Sequence, residues 1–172
     1  MEFRELFESY AQPGRVVLIT VRPKRLEMVR IVDVVEAVAE VGLVGDHYAG
    51  KGGKRQVTLI QAEHLKSIAS FLGKTEIDPK LTRRNIVVAG INLLSLKGKR
   101  FRVGQAVLEY SGECHPCSRM ETNFGMGGYN AMRGHGGITA KVIQGGTIRP
   151  GDPIAQIVSG PGSTPEVISE VP

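Results

Sequence analysis

The sequence predicts a mostly β domain with α decoration, an α+β chain whose strands form a barrel. Three observations carry that expectation. Glycine and proline are frequent, at 22 and 9 of 172 residues, which marks many tight turns. The apolar residues fall mainly in short runs rich in Val, Ile and Leu. One stretch, residues 61–72, has clear helical spacing. Hydrophobic residues make up 41% of the chain and aromatics only 5%, with no Trp, so the core must be aliphatic. The length suits one domain of ordinary size.

The elements follow in order. Residues 2–11 suit a short amphipathic helix, with Phe3, Leu6, Phe7 and Tyr10 on one face and Pro13-Gly14 ending it. Residues 15–21 (RVVLITV) read as a buried strand. Residues 28–41 fit two strands joined near Asp33, or a helix, and their valine content favours strands. Residues 42–56 form a glycine-rich loop. A strand at 57–60 leads into the helix at 61–72, which Gly73 can stop. Asp78-Pro79 opens a turn, and a strand at 86–88 follows. An apolar segment at 91–96 precedes a hairpin from Phe101 to Tyr110. Lys97, Lys99, Arg100 and Arg102 are expected on an exposed turn and edge strand, where charge discourages aggregation. Strands at 138–144 and from Thr147 lead through a turn at 149–152 to a closing strand at 153–158. The expected organisation is a helix at 1–13, the domain at 14–158, and a mobile polar tail at 159–172.

The formal net charge is +5, which favours an anionic partner such as a phosphate or a nucleotide-like cofactor. Nucleic acid is disfavoured, because scarce aromatics offer little stacking surface. The N-terminal stretch MEFRELFESY carries charge throughout, and no apolar run is long enough to cross a membrane. A cytoplasmic protein with reduced thiols is the expectation.

Reactive groups concentrate in residues 111–152. Both cysteines lie there, in Cys114-His115-Pro116-Cys117, with His135, Arg119, Arg133 and many glycines. The segment reads as a functional loop on a β scaffold. Three chemistries suit the cysteine pair. The thiolates bind zinc with help from His47, His115 or His135, although a structural zinc site needs four ligands. They cycle between dithiol and disulfide. Or one of them is a nucleophile, a sulfur carrier or a soft-metal ligand. Against these stands the ordinary fate of a free cysteine, buried and inert. Upstream, Lys51, Lys54 and Arg55 form either a solvated turn or an anion cradle, and Asp46-His47 either caps a turn or joins a polar site.

Five ordered blocks give the chain a family likeness: GLVGDHY at 42–48, KRQVTLIQAEHL at 54–65, RRNIVVAGINLLSLKGKRFRVG at 83–104, LEYSGECHPCSRME at 108–121 and GHGGITAKVIQGGTIRPGD at 134–152. In these the sequence resembles the MOSC domain, the module named for the C-terminal part of molybdenum-cofactor sulfurases, in its compact stand-alone bacterial form. The resemblance implies a β-barrel and a reactive Cys117 that carries sulfur or ligates molybdenum in the molybdenum cofactor (molybdopterin). It implies sulfur transfer or reduction of small N-hydroxylated compounds. A separate electron-donating reductase or a cysteine desulfurase would then be a partner. Pyridoxal phosphate, tied to the family through a fused aminotransferase-like domain, is not expected in so short a chain. Asp46, His47, Arg83, Arg84, Asn85, Arg119, Arg133 and His135 are the residues expected to hold the cofactor, with arginine suited to bidentate phosphate contacts. A non-catalytic β-barrel module, zinc-stabilised or binding an anion or nucleic acid through its basic surface, is the alternative. Cys114 is an additional thiol, either a resolving partner or a bystander.

Overall fold

The computed structural model describes residues 1–158; the tail expected at 159–172 lies outside them. The chain runs α1 (Phe3–Glu8), β1 (Gly14–Val21), β2 (Arg30–Val32), β3 (Val35–Val38), β4 (Gly42–Leu43), β5 (Val57–Gln61), α2 (Ala62–Phe71), β6 (Ile86–Ala89), β7 (Arg100–Val103), β8 (Ala106–Glu113), α3 (Arg119–Phe124), α4 (Gly128–Met132), β9 (Ile138–Gln144), β10 (Gly146–Ile148) and β11 (Pro153–Gln156). Single 3-10 turns occupy Pro79–Thr82 and Leu93–Leu96.

Seven strands close on themselves in the order β1, β11, β7, β8, β9, β5, β6 and back to β1. The seam pairs Gly14 with Ile154 and Arg15 with Pro153. All pairs in this barrel are antiparallel except β5 with β6. A parallel pair needs a crossover, and α2 with the turn at Pro79–Thr82 supplies it. β2 hangs on the outside of β1, while β10, β3 and β4 make a small separate sheet.

The barrel is filled by aliphatic side chains, among them Ile19, Leu59, Ile86, Val88, Leu108, Val142 and Ile154, around a fully buried aromatic, Phe101. A second cluster lies outside it, where α2, α3 and α4 cover Ile60 and Val87. β5 and β6 are therefore buried on both faces. That is why they read as continuous apolar runs rather than alternating ones.

Three expectations change. First, residues 119–132 are not loop. Met120 and Phe124 from α3, and Ala131 and Met132 from α4, are buried against the barrel. The flanking glycines disguised that short apolar spacing. Second, β7 is not an edge strand. β8 pairs one side and β11 the other. Its charges are used locally: Arg100 pairs with Glu109 at 2.9 Å, and the Lys99 ammonium donates to Tyr10 and Gln156. Third, α1 buries none of its residues, and Phe3, Leu6 and Phe7 stay exposed. Residues 28–41 are strands, with Asp33-Val34 between β2 and β3. No helix among the described residues is long and apolar enough to cross a membrane.

Candidate functional site

The cysteine loop leaves the barrel rim at the end of β8. Glu113 still pairs with Ile138 of β9, and the Cys114 N–H donates to the Gly137 carbonyl at 2.8 Å. This approach requires glycine. A Cβ at Gly136 would sit 2.1 Å from the Cys114 carbonyl oxygen, and one at Gly137 would sit 1.8 Å from the Leu59 carbonyl oxygen. Gly137 also has φ +84°, which side chains rarely adopt. At the other end of the loop the Met120 N–H donates to the Cys117 carbonyl at 2.9 Å, and α3 begins.

Arg84 ties these pieces together from below. It is 5% exposed. Its Nε donates to the Gly136 carbonyl and its Nη1 to the Thr82 carbonyl, both at 2.8 Å. Its Nη2 donates to the carbonyls of Cys114 at 3.1 Å and His115 at 3.5 Å. One planar guanidinium thus joins three segments through fixed donors. Burial pulls its pKa below the usual arginine value, and the nearby Cys114 opposes that shift.

The two thiols differ sharply. Cys114 is buried, and its Sγ accepts a hydrogen bond from Arg55 Nη2 at 2.9 Å. Cys117 is exposed and lines a cleft with Arg22, Asp46, Tyr48, Arg55, Thr58, Arg83, Arg84 and Asn85. The cleft is small, about 130 Å³. One wall is a buried polar network. Asp46 Oδ1 accepts from the Arg22 N–H at 2.9 Å and from Asn85 Nδ2 at 3.0 Å, and its Oδ2 accepts from the Tyr48 N–H at 3.1 Å. The Asn85 side-chain oxygen accepts from the N–H and the hydroxyl of Thr58, both at 3.0 Å. Four arginines and this one carboxylate line the cleft. Two of them, Arg22 and Arg55, lie over the Tyr48 ring at 5.7 and 5.9 Å from its centroid. Arg22 Nε is buried and has no hydrogen-bond partner among the described residues.

Of the residues marked from the sequence, Asp46, Arg83, Arg84, Asn85 and Cys117 come together at this cleft. Four others do not line it. His47 stacks on Tyr48 at 5.1 Å, outside the lining. Partial desolvation, helped by Lys51, Arg22 and Arg25, holds its pKa below the ordinary histidine value, against the opposing pull of Asp46. Arg119 is exposed at the start of α3. Arg133 is exposed and reaches only Asn130, at 3.5 Å. His135 packs edge-on against His64 at 4.8 Å and Phe71 at 5.3 Å, with Nδ1 2.9 Å from the Arg133 carbonyl. Arg22, Tyr48 and Thr58 escaped the sequence reading, because each looks like an ordinary strand or turn residue. Among the described residues no three His, Cys, Asp or Glu side chains converge as a metal site, so the zinc alternative lacks a ligand set.

The sequence matches the MOSC domain family over residues 45–155. The chain belongs to the MOSC domain family. The MOSC barrel is similar to that of the YuaD protein from Bacillus subtilis, with a TM-score of 0.73 and 21% identity, covering 83% of this chain and 94% of that one. It is also similar to YiiM from Geobacillus stearothermophilus, with a TM-score of 0.67 and 21% identity over 87% of this chain and 78% of that one. YiiM from Escherichia coli gives 0.64 and 22% over 87% and 73%. No curated protein matches the sequence significantly. At these identities the similarity speaks for the fold, and the chemistry of this MOSC cleft rests on its own residues.

Proposed function

We propose that the arginine cleft binds the molybdenum cofactor, and that Cys117 serves sulfur transfer or the reduction of small N-hydroxylated compounds there. The observation that carries this reading is an exposed thiol in a cleft lined by four arginines and one carboxylate. The donor set suits a ligand with a phosphate at one end and a soft metal at the other. Arg22, Arg55 and Arg83 would hold the phosphate, and Cys117 would meet the metal as a thiolate or carry sulfur beside it. When bound, the cofactor supplies two-electron redox chemistry at molybdenum.

The chain's own contribution is placement. Arg84 and Gly136 fix where the loop lies and so where Cys117 stands. Asp46 and Asn85 hold the backbone of Arg22 and Tyr48 on one side of the cleft. Reduction needs electrons from a separate reductase, and sulfur transfer needs a donor such as a cysteine desulfurase. A reducing compartment, which we propose to be the cytoplasm, keeps both thiols free.

The test is elemental analysis with a fluorescence assay for oxidised pterin, on protein made in a molybdate-fed host. Molybdenum and pterin in the wild type, with molybdenum lost in Cys117→Ser and pterin reduced in Arg22→Leu, are expected. Protein carrying neither, unchanged by either substitution, overturns the reading.

A further inference from the structure

The chemistry proposed for Cys117 leaves Cys114 unused. This second thiol is 2% exposed, and its backbone is held from both sides. Its N–H donates to the Gly137 carbonyl at 2.8 Å, and its carbonyl accepts from Arg84 Nη2 at 3.1 Å. The sulfur is thereby a fixed point at the base of the loop. What it touches is Arg55, whose Nη2 donates to Sγ at 2.9 Å.

Arg55 needs such a contact. It is exposed, and it stands at the end of the glycine-rich loop, with Gly50, Gly52 and Gly53 shortly before it. A free arginine side chain samples many rotamers, and holding it in one takes a fixed partner. The bond to Cys114 is the only hydrogen bond its side chain makes among the described residues. Its other anchor is the Tyr48 ring, with the centroid 5.9 Å from Cζ, and Tyr48 is itself tied by its N–H to Asp46 at 3.1 Å. From this geometry we infer that Cys114 is a positioning residue, whose sulfur holds the Arg55 guanidinium in the cleft to receive the anionic end of the ligand. The inference rests on the anion-binding reading of the cleft given above. The sulfur accepts one of the guanidinium's five N–H donors and leaves the others for a ligand. Arg84, by contrast, spends all three of its nitrogens on carbonyls. The two cysteines of the motif thus divide the work: Cys117 meets the ligand, and Cys114 acts through Arg55.

The experiment is a calorimetric titration of the full chain with inorganic phosphate. Cys114→Ala removes the acceptor and should weaken binding by about threefold to tenfold. Cys114→Val fills the space without accepting and should bind as weakly, whereas Cys114→Ser keeps an acceptor and should recover most of the affinity. Arg55→Leu should lose at least as much as Cys114→Ala, and adding Cys114→Ala to it should cost nothing further, because residues that act through one another are not additive. Equal losses from Cys114→Ala in both backgrounds would mean a general loosening of the loop and overturn the inference, as would an unchanged affinity in Cys114→Ala. A wild type that binds no phosphate overturns the reading of the cleft instead. The hold on Arg55 is then decided without ligand, by ¹⁵N NMR of its two η nitrogens. Separate signals in the wild type that merge in Cys114→Ala are expected, and the same pattern in both proteins overturns the hold.

Discussion

Arg84→Lys keeps the positive charge and removes the fork, so it isolates what the guanidinium geometry does. In the wild type three bonds of 2.8, 2.8 and 3.1 Å run to Gly136, Thr82 and Cys114, with a fourth of 3.5 Å to His115. The group is 5% exposed, so water does little to screen these contacts. Hydrogen bonds to a charged partner contribute about 1.5–3 kcal/mol each. A lysine ammonium donates from a single point and cannot reach three carbonyls that Arg84 meets from three different nitrogens. Counting two lost bonds, the substitution should cost about 3–6 kcal/mol. With a urea slope of about 2 kcal/mol per M, the midpoint should fall by roughly 1.5–3 M. Hydrogen exchange adds the local reading. The Cys114 N–H, bonded to the Gly137 carbonyl, should lose protection first, because that bond depends on the loop lying flat on Gly136. An Arg84→Lys protein with an unchanged midpoint and an unchanged exchange rate at Cys114 would refute the view that this arginine holds the loop.

Two further substitutions probe the same region by other means. Gly136→Ala puts a Cβ 2.1 Å from the Cys114 carbonyl oxygen, and that backbone cannot yield cheaply; a loss of about 3 kcal/mol or more is expected in urea unfolding, and a cost below about 1 kcal/mol would show that the loop is free to move away. Glu121 accepts from the N–H groups of Tyr129 at 3.0 Å and Gly127 at 2.7 Å, and these bonds hold its pKa below the ordinary carboxylate value. A depressed folded-state pKa gives stability that is present above the unfolded value and is lost as pH falls through the folded one. Wild type should therefore be more stable than Glu121→Gln at neutral pH and converge on it in acid; a gap that stays constant with pH would rule out the linkage.

What was legible in the sequence is what local pattern encodes. The continuous runs at 15–21, 57–60 and 86–88 mark strands because both their faces, or most of both, are covered. Tertiary closure is another matter. The seam joins Gly14 to Ile154, and nothing in either segment alone names its partner. The misreading of β7 as an edge followed directly, since its charges suit an edge and only β11 makes it an interior strand. The helices α3 and α4 were hidden by the glycines at 125, 127 and 128, which cap and crowd them rather than break a longer loop. In the candidate site, Cys117 and Asp46 stood out by residue type. Arg22 and Tyr48 did not, because their role comes from the Asp46 carboxylate that holds both backbones.

Arg83 and Arg84 show why residue type alone stops short of role. They are adjacent, and from the sequence both are candidates to grip a phosphate. The backbone separates them. Arg83 takes the left-handed conformation at φ 59° that ends the turn Pro79–Thr82, and its partly exposed side chain reaches out to the Arg25 carbonyl at 3.1 Å while lining the cleft. Arg84, one residue on, enters the core at the start of β6, where it meets carbonyls. A guanidinium already bonded to four carbonyls has little left to offer a ligand, unlike those of Arg22 and Arg83, which also line the cleft. Anion binding in this cleft should therefore follow Arg22 and Arg83, and loop order should follow Arg84. The two effects separate cleanly: a phosphate titration of Arg83→Leu should show weakened binding with an unchanged urea midpoint, and the opposite pattern would reverse the two roles.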